Sequence, residues 1–157
     1  PRNKTVNLSE AVYNSNNVAA AAVAAHECGH AVQHAYSYAP LQMRSTLVPV
    51  VSFASKWLTW VILGGILLLE TFPQLLLLGI ILYALTTLFA FISLPVEINA
   101  SQRAILWLEQ ARVTNQETTP MASSALRSAA YTYVVAALSS LGTLIYYILI
   151  YVGGSRD

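Results

Sequence analysis

The sequence predicts a mainly α-helical, polytopic membrane protein whose polar portion contains helices and one short edge strand. Three observations carry that expectation. Of 157 residues, 56% are hydrophobic and only 10% charged, and the mean hydropathy of +0.56 lies well above that of an ordinary soluble domain. Three apolar runs reach the length of about 20 residues that a helix needs to cross a bilayer. Ahead of the first run stands an alanine-rich stretch with polar residues at helical spacing.

The elements follow in order. Thr5-Val6-Asn7-Leu8-Ser9 alternates as an edge strand does. Asn14 to Asn17 supplies turn and N-cap residues for a helix over 17–36, which Tyr38-Ala39-Pro40 ends. The first span covers 47–69. It contains Pro49 and Lys56, and a lysine in the first turns of a span can extend its ammonium to the headgroups. Trp57 and Trp60 beside it suit an interfacial belt. Glu70-Thr71-Phe72-Pro73 leaves room only for a tight turn before the second span, 74–94. A polar helix is expected from about Pro95 to about Val113, then a loop over 114–120 and a third span over 131–152. The second and third spans carry no charged residue. The chain is thus read as one membrane domain over 1–157, with polar segments at 1–46 and 95–130.

The tight turn places both polar segments on one side. Arg2, Lys4, Arg44, Lys56, Arg103, Arg112 and Arg127 are on that side, against Arg156 beyond the third span, so the positive-inside tendency puts the polar segments in the cytoplasm. A net charge of +1 gives no reason to expect a nucleic-acid partner. The single cysteine, Cys28, excludes an internal disulfide framework and is compatible with a reducing compartment. The start at Pro1, with no leader pattern, suggests a fragment or processed product with a further segment upstream.

All three histidines fall in one helix, as A-H-E-C-G-H-A-V-Q-H. Residues four apart share a helix face, so His26 and His30 can present imidazole nitrogens to one zinc ion. Glu27 completes an H-E-x-x-H pattern, in which two imidazoles hold the metal and the glutamate serves as general base toward an activated water. His34 lies about 12 Å along the axis from His26 and cannot join the same tetrahedral ion on a straight helix. It is read as a helix histidine hydrogen-bonded nearby, with a substrate-facing or outer supporting role as the alternative. Cys28 points away from the histidine face, and Cys28 and Gly29 are expected to be small buried residues, the glycine allowing another element to pack closely.

A zinc hydrolase needs a third ligand and an open position. Glu70 and Asp157 fall on the opposite side, Glu10 precedes the helix, and Glu109 and Glu117 sit in a polar stretch with Arg112. Glu97, directly after the uncharged second span, is the carboxylate whose place at the membrane edge needs a reason. It is expected as the ligand, with a helix N-terminal charge interaction as the alternative.

H-E-C-G-H-A-V-Q-H, Tyr38-Ala39-Pro40-Leu41 and Leu94-Pro95-Val96-Glu97-Ile98-Asn99-Ala100-Ser101 together closely resemble the YugP-like neutral zinc metallopeptidases of bacterial membranes. The resemblance spans essentially the whole chain. It implies a zinc-dependent (Zn2+) membrane peptidase with His26, His30 and Glu97 as ligands and Glu27 as catalytic base. In the wider gluzincin group, including HtpX-like peptidases, the third ligand opens an E-x-x-A-D pattern, and here Ser101 replaces the aspartate. That aspartate orients a ligating histidine, so Ser101 or Asn99 is expected to substitute. Tyr36, Tyr38, His34 and Arg103 are the candidate oxyanion donors. Thr5 to Ser9 is expected to bind extended substrate by strand addition.

The expected partners are a peptide or protein substrate and the lipid bilayer, with a homo-oligomer or regulatory membrane partner besides. The rival reading is a non-catalytic zinc-binding or zinc-transport membrane protein. A site-2-type intramembrane protease would need an aspartate in a later span, and none precedes Asp157.

Overall fold

In a computed structural model the described residues are 5–154. Pro1, Arg2, Lys4, Arg156 and Asp157, which entered the reading above, lie outside them. Five helices follow one another: α1 (Glu10–Tyr13), α2 (Val18–Ala35), α3 (Ala39–Leu67), α4 (Pro73–Gln110) and α5 (Thr118–Gly154). The protein is mainly α-helical, and α3, α4 and α5 are each long and apolar enough to cross a membrane.

The caps fix α2 as the residue types demand. Asn17 stands in extended conformation and its Oδ1 accepts from the amide of Ala20 at 2.8 Å, as an N-cap does. At the other end Tyr38 N–H donates to Gln33 O and Ser37 N–H to His34 O, with Ser37 at φ 52°. That pair of bonds is a Schellman closure, and the left-handed residue it requires is here a serine instead of glycine. The same closure recurs after α4, where Arg112 has φ 55° and Val113 N–H donates to Leu108 O.

Several expected boundaries move. No strand occurs among the described residues; Thr5 to Ser9 has no regular structure, because an alternating run without a partner strand leaves its backbone groups unpaired. The first span belongs to a helix that begins at Ala39, so Lys56 stands well inside it, exposed beside exposed Trp57 and Trp60. Pro95 does not open a helix. It lies inside α4, which continues from the apolar run to Gln110. A proline there costs one backbone bond and some steric strain, a loss that helices of membrane proteins commonly accommodate. Likewise α5 takes in part of the expected polar segment, starting at Thr118.

The chain divides into two compact units. Among the described residues, one comprises 5–42 and 93–133, the other 43–92 and 134–154. In the second unit Ile62, Leu76 and Ile80 are buried with Leu58, Leu144, Tyr147 and Ile150 against them. Gly65 is needed there: a Cβ on it would meet the Leu76 backbone at 2.6 Å. Thr87 and Ser140 share a hydrogen bond of 2.7 Å between α4 and α5.

The first unit holds the histidines, and its core is Ala22, Ala25, Ala104, Leu108, Ala122 and Leu126. Two rows at spacing four explain it. On α2, Ala25, Gly29 and Gln33 are buried; on α4, Val96, Ala100, Ala104 and Leu108 are buried. Small residues along both rows let the two backbones come close, and a Cβ on Gly29 would lie 2.7 Å from the Ala100 carbonyl oxygen. Gly29 is therefore buried as expected. Cys28 is not: it is exposed, because the packed side of α2 is taken up by the 25, 29 and 33 row.

Candidate metal centre

Beside each buried row runs a polar one. On α2 it is His26 and His30, four apart; on α4 it is Glu97 and Ser101, also four apart. Close packing of the alanine and glycine rows thus brings the two polar rows face to face. His26 Nε2 lies 3.2 Å and His30 Nε2 3.4 Å from the same atom, Glu97 Oε2. The imidazoles meet edge to face at 4.7 Å between centroids. One donor atom from each of the three residues falls within 4.8 Å of the others.

The donor set suits zinc. Two imidazole nitrogens and a carboxylate oxygen are the ligand types of catalytic zinc, and bonds of about 2.0–2.1 Å in a tetrahedron put ligand atoms about 3.3 Å apart. Distances of 3.2 and 3.4 Å match that edge. Glu97 is buried well inside α4, so the alternative that placed it at a helix N-terminus falls.

The outer nitrogens of both rings have partners. His26 Nδ1 is 3.1 Å from Ser101 Oγ, so the serine that replaces the expected aspartate still reaches the imidazole. His30 Nδ1 is 3.0 Å from Gln33 Oε1. Asn99 meets neither ring; its Oδ1 accepts from Gln33 Nε2 at 3.0 Å and from Arg103 Nε at 2.8 Å. Burial, the largest single influence on His30, pushes its pKa down. Hydrogen bonds to Glu97 and Gln33 and the charges of Glu97 and Glu27 together outweigh it and raise the pKa above 6.5.

Glu27 is exposed on α2 and lines a cavity of about 200 Å³ with His26, Glu97 and Ser101. The rest of the lining is apolar, from Val23 on α2 and Leu126, Ala129 and Ala130 on α5, with Tyr133 also on α5. His34 is exposed in the last turn of α2 and is not brought to the cluster. Tyr36 is 77% exposed and, like Tyr38, does not line the cavity. Glu10, Glu109 and Glu117 are exposed. Sequence reasoning missed Gln33 and Tyr133. The signal for Gln33 was its place three residues after His30, where a helix puts neighbours together; Tyr133 had no such signal.

The profile of a family described as "Putative neutral zinc metallopeptidase" matches residues 1–152. The chain belongs to this zinc metallopeptidase family. Similarity to a curated protein agrees: "Putative membrane protease YugP" of Bacillus subtilis (strain 168) is 42% identical over 158 residues, covering 100% of this chain and 68% of that protein. No solved structure matches. Membership of a zinc metallopeptidase family implies Zn2+, and the His26, His30 and Glu97 group is a fitting place for it.

Proposed function

We propose that the chain is a single multi-pass membrane domain acting as a zinc-dependent endopeptidase. His26, His30 and Glu97 are its ligands and Glu27 its general base. The observation that carries this reading is the convergence of two imidazole Nε2 atoms on one buried carboxylate oxygen, beside an open cavity whose wall includes Glu27. Zinc held there supplies Lewis acidity, polarising a substrate carbonyl and acidifying a water. Glu27, exposed to the cavity, accepts the proton of the attacking water and returns it to the departing amine nitrogen. Ser101 holds the His26 ring through Nδ1, and the apolar wall of Val23, Leu126, Ala129 and Ala130 receives a substrate side chain. The basic residues of the polar segments support a cytoplasmic active site in the cell membrane. The substrate is a peptide or protein.

The test compares wild type with Glu27→Gln, purified in detergent at equal measured zinc content, on an unstructured casein-like protein. Loss of a general base lowers cleavage by about 10²–10⁴-fold with zinc retained. Equal cleavage by both at equal zinc overturns the assignment of Glu27; zinc uptake by wild type with no cleavage favours the non-catalytic zinc-binding reading.

A further inference from the structure

We propose that Arg103, Asn99 and Gln33 form an orientation relay that fixes which nitrogen of His30 carries hydrogen, leaving the Nε2 lone pair free toward Glu97. The inference rests on the zinc reading above and goes beyond it by assigning positioning roles to three residues outside the ligand set. The chain of logic starts at a group with no choice. A guanidinium has donors only, and Arg103 Nε stands 2.8 Å from one side-chain atom of Asn99. That atom is therefore the Asn99 oxygen. The same oxygen is 3.0 Å from Gln33, so Gln33 presents its NH2 there.

A second anchor fixes Gln33 independently. Its nitrogen lies 2.8 Å from the main-chain oxygen of Val96, which can only accept. Both amide hydrogens of Gln33 are thereby placed, one on Val96 and one on Asn99. The remaining atom, Oε1, faces His30 Nδ1 at 3.0 Å. An amide oxygen carries no hydrogen, so the hydrogen of that bond sits on Nδ1, and the neutral imidazole keeps its lone pair on Nε2. That is the nitrogen 3.4 Å from Glu97 Oε2.

Burial makes the relay selective. Gln33 is 0% exposed, so a flipped amide would set its NH2 against a hydrogen-bearing Nδ1 and its oxygen against the Val96 carbonyl, with no water to relieve either. No buried side-chain polar atom among the described residues is left without a partner, so the arrangement is satisfied throughout. The helix geometry supplies the registration: Gln33 is three residues after His30 on α2, and Val96, Asn99 and Arg103 follow at three- and four-residue steps on α4.

The experiment uses the full chain in detergent and reads zinc, not cleavage. Zn2+ affinity is measured by competition with a chromophoric chelator, the Co2+ absorption spectrum reports ligand geometry, and ¹⁵N-histidine spectra of the zinc-loaded protein report exchange of the His30 Nδ1 hydrogen. Gln33→Met should weaken Zn2+ binding by about 10–100-fold, alter the Co2+ spectrum and release the Nδ1 hydrogen to fast exchange. Asn99→Leu should weaken it in the same direction by less. Asn99→Asp, which still offers oxygen to both Gln33 and Arg103, should rescue the affinity. A folded Gln33→Met with wild-type affinity and a protected Nδ1 hydrogen overturns the relay. Should Gln33→Met not fold, equal Zn2+ affinity of Asn99→Leu and Asn99→Asp overturns it instead. Failure of the underlying reading looks different: there the wild type itself takes up no zinc.

Discussion

Replacing Gly29 by alanine adds one carbon where the two ligand-bearing helices pack against each other's backbone. The new Cβ would stand 2.7 Å from the Ala100 carbonyl oxygen and 3.2 Å from its carbonyl carbon, whereas ordinary contact begins near 3.4 Å. Both neighbours are backbone, so no side chain can swing aside, and the helices must part by about 0.7 Å (3.4 − 2.7) along that line. The same displacement would lengthen the His26–Ser101 bond from 3.1 Å to as much as about 3.8 Å, the upper limit lying beyond hydrogen-bond reach. It would also open the 3.2 and 3.4 Å distances to Glu97. Stability is a poor reporter of this change. Alanine gains about 1 kcal/mol of helix propensity over glycine, which offsets part of an overpacking cost of about 1–3 kcal/mol. Zinc affinity is the sharper reporter, because functional constellations tolerate only about 0.5 Å of error. Gly29→Ala should lose about 10-fold or more in Zn2+ affinity, measured by chelator competition, while Cys28→Ala on the exposed face leaves it unchanged. Wild-type affinity in a folded Gly29→Ala protein would refute the claim that this contact sets the site.

Three further outcomes are expected. Ser101→Ala removes the partner of His26 Nδ1 and should weaken Zn2+ binding by about 10-fold, with Ser101→Asp restoring it; chelator competition checks both. His30 has a folded-state pKa raised above 6.5, so its contribution to the metal-free protein is fully present below pH 6.5 and is lost as pH rises through the raised value. Zinc needs the neutral ring, so the stabilisation by zinc grows as pH rises through that same value; thermal melts with and without zinc over a pH series should diverge upward. Ser37→Gly relieves a left-handed serine that closes α2 and should stabilise the fold by about 0.5–1 kcal/mol, read by denaturant or thermal unfolding.

The histidine helix could be read directly. Asn17 is a cap by residue type, the four-residue step of His26 and His30 is a face, and both hold in the structure. Glu97 emerged by elimination among few carboxylates, and the structure brings it to both rings. Misreadings arose where a local signal met a tertiary context. Pro95 breaks an isolated helix, yet α4 runs through it, because the apolar run and the ligand row are stabilised by packing on either side of the proline. Thr5 to Ser9 alternates like a strand but has no strand to pair with among the described residues. Cys28 was assigned to the interior by its size, whereas the row that packs is set by periodicity. Gln33 was passed over; its 0% exposure depends on α4 lying against it, a fact no short window of sequence contains.

The donors that meet at Glu97 Oε2 come from positions 71 residues apart, His26 and Glu97, with an entire helical hairpin between them. A chain caught midway through insertion therefore owns a pair of histidines but lacks the acidic corner that would complete a metal seat. Under the proposed reading, peptide cutting would therefore await the meeting of α2 with the later half of α4, and a partly inserted chain would be inactive.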